Sequence, residues 1–295
     1  MLFRSASGTT LKTHGILNVS SGGTISGTVI SGSGSGYVSG AAVSTTLSGG
    51  WQIVSSGGTA TGTTILQGGY EFVSSGGVAS NTMAISGGHS IVGPGGRAVS
   101  TVISALGGQT IGSGGIASGT VLKTAASLYV SAGGVVSGTV ISGSGSAFIS
   151  GTASGSLLSG GWQVVSSGAT ALATTVSSGG VEMVSSGATT TNATVSSGGR
   201  KVLVGGGIAY ATDLKTAGAQ VVLAGGSALN TTVSGGNQVI SGGGLAVDAV
   251  IYNAGYQQIS AGGVASGTTL YGVGTQIVSA GGIAVATVVS SGGID

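Results

Sequence analysis

Five carboxylates and two imidazoles are all that this chain offers for acid–base chemistry: Glu71, Glu182, Asp213, Asp248, Asp295, His14 and His89. It has no Cys, which excludes thiolate nucleophiles, thiolate metal sites and disulfides. A glycosidase needs two carboxyls about 5–9.5 Å apart. Glu71 and Glu182 hold the same place in a repeat, six units apart, which at about 4.8 Å per stacked strand separates them by about 29 Å. Asp213 and Asp248 fall two units apart at different points of the unit, and His14 and His89 stand alone. No Asp recurs in every unit, as a Ca²⁺-binding nonapeptide solenoid requires. No catalytic residue, metal ligand or cofactor site is expected, and the chain reads as a non-enzyme.

Composition narrows the class further. Of 295 residues, 65 are Gly and one is Pro, and Gly is not every third residue, so collagen is excluded. Hydrophobic residues make up 40% against 4% charged, the opposite of a disordered chain. Gly, Ser or Thr breaks each apolar run well short of the roughly 18 residues of a membrane-spanning helix. The cations Arg4, Lys12, Arg97, Lys123, Arg200, Lys201 and Lys215 are scattered, so no nucleic-acid partner is expected. The opening MLFRSASGTTLK lacks the apolar core of a signal peptide, and residues 1–7 read as a leader or a fragment edge.

From about residue 8 to 295 a unit of the form G-T-T-V-x-S-G-G-x-Q-x-V-S-S-G-G-x-A-x recurs. Its apolar anchor falls at Leu11, Ile30, Leu47, Ile65, Ala84, Ile103, Leu122 and onward to Val289, at spacings of 17 to 19 residues. A 111-residue super-repeat overlies it (11–121, 122–232, then a partial third copy): Lys12 returns as Lys123, Trp51 as Trp162 and Glu71 as Glu182. Each unit holds short β-branched segments of period two, separated by Gly pairs able to turn sharp corners. Such a unit is too short for a strand, a helix and their loops. It suits one turn of an all-β, single-stranded parallel β-helix of about 16 rungs, roughly 72 Å long at the strand spacing.

Columns that vary least should face inward. These are the anchors, the Thr two residues before them, the Val54/Val73/Val130 column, the Gln52/Gln109/Gln163 column and a small column of Ala60, Ala79 and Ala117. Stacked Thr and Gln can then satisfy each other from turn to turn. Variable columns, including Trp51, Tyr70, His89 and Arg200, should point out.

The runs Val54 to Thr64 (VSSGGTATGTT) and Val73 to Thr82 (VSSGGVASNT) resemble the AIDA-type repeats of passenger domains in self-associating autotransporter adhesins of Gram-negative bacteria. The resemblance spans nearly the whole chain. It implies a right-handed β-helix displayed outside the outer membrane or secreted, active in adhesion or autoaggregation, with O-linked heptose added to Ser or Thr by a glycosyltransferase before export. No translocator barrel is visible. An incomplete passenger is the expectation, with a stand-alone structural or ice-binding solenoid as the alternative.

Three sets of outward residues are candidate sites. Corner serines Ser55, Ser56, Ser74, Ser75, Ser166 and Ser167 form a hydroxyl ladder open to glycosylation, or else serve as turn residues bonded to local backbone. Trp51 and Trp162 could stack on surface glycans of a host or bacterium, or cover a corner. Between Gln and Val on the second strand runs an apolar column: Ile53, Phe72, Ile91, Tyr129, Phe148, Val164, Met183, Val202, Val221, Val239 and Ile277. Exposed, it exceeds what a monomer usually leaves bare and suits side-by-side association with another copy. Alternatively, the inward and outward faces are reversed on this strand, or flanking chain covers it.

Overall fold

A computed structural model describes residues 5–55, 57–166, 168–185 and 187–295. Two compact units, Met1–Ala147 and Phe148–Asp295, divide the chain. Each is a parallel β-solenoid, and no helix occurs among the described residues. One turn shows the pattern: a first strand Thr64–Ile65, a second Tyr70–Val73 and a third Val78–Ser80. Each pairs in parallel with its equivalent one turn away, so Ile65 lies beside Leu47 and Ala84, Glu71 beside Gln52 and Ser90, and Ala79 beside Ala60 and Ala98. Third strands stack eight deep in each unit, from Ser5–Ser7 to Val135–Ser137 and from Thr152–Ser154 to Ile283–Val285.

The period of two is realised as burial on most strands, because alternate side chains enter a closed interior. Ile30, Leu47, Ile65, Ile103 and Leu122 in the first unit, and Leu158, Val176, Leu214 and Val233 in the second, have no exposed surface. The Val column, the Ala column and the Thr column are buried with them. Two corners of most turns carry Gly, often as a pair. The third is a single left-handed residue, just before the Thr at Gly62 (φ 68°), Asn81 (φ 55°) and Ser100 (φ 57°), and before Ala249 at Asp248 (φ 54°). Gly, Asn and Asp suit that conformation, while Ser100 and Ala211 occupy it at the ordinary cost of an L side chain.

A polar ladder runs through the interior. Gln109 Nε2 donates to Thr101 Oγ1 at 3.1 Å, and Thr120 Oγ1 donates to Gln109 Oε1 at 2.9 Å. In the second unit Gln238, Gln257 and Gln276 each donate to the Oε1 of the preceding Gln, at 2.9, 2.7 and 2.6 Å. Where the ladder position is apolar, the Thr that would use it is left without a partner. Thr28, Thr45 and Thr139 are orphaned, and their ladder positions hold Leu17, Gly36 and Leu128.

Candidate interaction face

The second strand separates an interior chemistry from a surface one. Glu71, Glu182 and Lys201 occupy the interior Gln column and are wholly buried. Glu71 Oε2 accepts from Thr82 Oγ1 at 2.8 Å, and Gln52 Nε2 lies 3.5 Å from Oε1. Glu182 accepts from Gln163 Nε2 at 3.1 Å and is ion-paired with Lys201. Neither carboxylate can meet a substrate. Lys201 is a cation that the sequence reading counted among the scattered charges without assigning it to the interior. The signal was present, since Glu71, Glu182 and Lys201 each stand two residues before the inward Val73, Val184 and Leu203, the place of Gln in Q-x-V.

Glu71 has no cationic partner: its neighbours in the ladder are Gln52 and Ser90. Burial pushes its carboxyl above the usual range, and the hydrogen bonds from Thr63, Thr82 and Gln52 only partly oppose this. The folded state therefore holds a proton that the unfolded chain releases near its ordinary value of 4.5. Because the native state binds more protons there, stability falls as pH rises, by about 1.4 kcal/mol per pH unit between the two pKa values. Glu71→Gln, which restores the ladder residue, is expected to abolish this dependence and to be the more stable protein at pH 7. Denaturant midpoints of both proteins at pH 4, 5.5 and 7 check it. Parallel pH profiles would show that Glu71 does not titrate with unfolding.

Outside, the column between the Gln and Val positions is open to varying degrees. Ile53, Phe72, Ile91, Val164, Met183, Val221 and Val239 are half-buried. Tyr129, Phe148 and Ile277 are exposed, whereas Val202 is only 8% exposed and the column closes over at that turn. In the first unit the neighbouring outward column adds rings. Phe72 meets Trp51 edge-on at 6.4 Å and stacks on Tyr70 at 6.0 Å, and Tyr70 stacks on His89 at 5.7 Å. Register alone explains this cluster, because Trp51, Tyr70 and His89 are direct neighbours on three successive strands. Trp51 is 41% and Trp162 48% exposed.

Of the corner serines, Ser75 is exposed and Ser55, Ser74 and Ser166 are half-buried, while Ser56 and Ser167 lie outside the described residues. Asp213 pairs with Lys215 across 3.6 Å on the surface. Among the described residues no three His, Asp or Glu side chains converge.

No family model and no curated protein matches the chain. Among solved structures, the crystal structure of a TibC-catalysed, hyper-glycosylated TibA fragment superposes with a TM-score of 0.76, is 36% identical and covers 99% of each chain. A Dettilon tailspike protein matches 90% of this chain and 60% of its own at 12% identity, with a TM-score of 0.26 too low to carry any argument.

Proposed function

The chain belongs to the AIDA-type repeat passengers of the autotransporter adhesins, and from that premise we propose that it is a non-catalytic rod, displayed on the cell surface or secreted, that associates with further copies of itself. The observation that carries this reading is the outward column on the second strand. Most of its positions are Ile, Phe, Tyr, Val or Met in both units, interrupted only by Asn18, Thr110 and Gln258. Placing such a column against a second copy removes apolar surface from water at about 25 cal/mol per Å². The buried or isolated state of Glu71, Glu182, Asp213 and Asp248 supports the absence of a reacting centre.

A glycosyltransferase acting on corner hydroxyls is a second part of the proposal, with Ser55, Ser74, Ser75 and Ser166 as acceptors. Its support is that the similar TibA fragment is hyper-glycosylated by TibC. Trp51 and Trp162 offer stacking surfaces to glycans of a host or bacterial surface.

The self-association reading is tested by replacing Phe72, Phe148 and Met183 with Ser. Sedimentation equilibrium and bead clumping are expected to weaken at least tenfold, with β-content and melting temperature nearly unchanged. If the triple variant associates like the parent, the column is not the contact. If it unfolds, the column belongs to the core.

A further inference from the structure

The corners of the first unit are not of equal length. Four residues join the inward Val19 to Thr24, and four join Val54 to Thr59, but only Ser39 and Gly40 join Val38 to Ala41. This is where the anchor spacing shortens to 17, from Ile30 to Leu47. The short corner is drawn in tightly. The amides of Ser39 and Gly40 both donate to Val19 O, at 2.8 and 3.0 Å, and Ala41 N donates to Gly23 O at 2.8 Å. Gly40 passes so close under the longer corner that a Cβ there would stand 2.3 Å from Gly23 O and 2.4 Å from Ser20 O. The longer corner therefore overhangs the shorter one.

Beneath the overhang is an open recess of about 460 Å³, lined by Asn18, Val19, Ser20, Ser21, Tyr37 and Ser39. It is an open surface recess rather than an enclosed pocket, with Asn18, Ser20, Ser21 and Tyr37 exposed and Ser39 half-buried. Asn18 and Tyr37 are register neighbours at the head of the outward column, and Tyr37 is 41% exposed. The lining offers one aromatic ring, one amide and four hydroxyls counting that of Tyr37, and no formal charge. The lining has no cationic side chain to pair with a phosphate and no carboxylate or imidazole to ligate a metal ion. A ring beside several neutral donors and acceptors matches a sugar, whose C–H face stacks on the ring while its hydroxyls pair around the edge.

We propose that the recess over the short corner is a binding subsite for a neutral saccharide of one or two rings, stacked on Tyr37 and hydrogen-bonded by Asn18, Ser20, Ser21 and Ser39. The subsite supplies a ligand class for the proposed adhesin and rests on that reading for its biological role. Its test does not involve self-association.

The test is saturation-transfer NMR on the whole chain made without a glycosyltransferase, with methyl α-mannoside, methyl β-galactoside and lactose as separate probes. At least one is expected to bind saturably with a dissociation constant of about 1 mM, as suits a ligand of so few atoms. Tyr37→Ala and Asn18→Ala are each expected to weaken that binding at least tenfold, while Tyr271→Ala, which removes an exposed ring of the second unit, leaves it unchanged. Should Tyr37→Ala disturb its strand, Asn18→Ala still decides. Absence of binding by all three probes at about 50 mM, or binding that survives Asn18→Ala, overturns the subsite. Sedimentation of Asn18→Ala, which removes no apolar surface from the column, is expected to match the parent and keeps a failed subsite distinct from a failed self-association surface.

Discussion

Lys201→Met is expected to destabilise the second unit by about 3–5 kcal/mol, the usual consequence of stripping a buried charge of its partner. Glu182 and Lys201 have no exposed side-chain surface and are bonded directly to one another. With Lys201 gone, Glu182 stays wholly buried with Gln163 Nε2 at 3.1 Å and no cation to offset its burial. The double variant Glu182→Gln/Lys201→Gln behaves differently. It extends a run of Gln that already continues through Gln220, Gln238, Gln257 and Gln276, and is expected to match or exceed the parent. Stability in a solenoid is nearly a sum over turns and their interfaces. The loss in Lys201→Met should therefore appear as faster amide exchange on Val181–Val184, Arg200–Leu203 and Ala219–Val222, alongside a lower denaturant midpoint. A single variant costing less than about 1 kcal/mol, as an exposed pair would, means that water reaches the pair.

The same pair shows how far the sequence could be read. Anchor, Val, Ala and Thr columns were legible because an interior position stacked on its own copies tolerates little variation, and each repeat is one more sample of that constraint. Glu71, Glu182 and Lys201 broke the pattern by residue type but not by place. Charge is usually solvated, so type outweighed place, and the register was needed to reverse the order. The left-handed corner before Thr63, Thr82 and Thr101 was hidden for the opposite reason. Gly62, Asn81 and Ser100 share a conformation rather than a chemistry. The aromatic cluster of Trp51, Tyr70, Phe72 and His89 needed both, since these residues come from three turns and meet only once the strands are in register. The recess by Tyr37 needed more still, because it lies at the corner between Val38 and Ala41, two residues shorter than its neighbours.

Gly218→Val is expected to cost more than about 4 kcal/mol, in the range where a single change signals a named defect. The reason is collision rather than backbone freedom. A Cβ on Gly218 would stand 2.0 Å from Val195 O and 2.5 Å from its carbonyl carbon, so the turn above would have to lift. One methyl can be taken in at this column, because Ala126 occupies it in the first unit. There the corner bond from Ala126 N to Lys123 O is 3.1 Å, against 2.8 Å from Gly218 N to Lys215 O, so the corner with the methyl is slightly more open. Gly218→Ala is accordingly expected to cost about 1–3 kcal/mol, as overpacking does. Valine adds two further carbons where the preceding turn already lies. Gly205 separates collision from conformation: its φ is +54° and nothing lies within 4 Å of an added Cβ. Gly205→Ala should cost only the roughly 1–2 kcal/mol of a left-handed L residue. Denaturant midpoints of the three variants should therefore fall in the order Gly205→Ala, Gly218→Ala, Gly218→Val, the last far below the others. If Gly218→Val were no worse than Gly205→Ala, close stacking would not be what holds this column to glycine. The outward apolar column rests on the same stacking, since Val202 and Val221 are neighbours only while the turns carrying Gly199 and Gly218 lie flat on one another. A lifted turn at Gly218 should thus weaken self-association as well as stability.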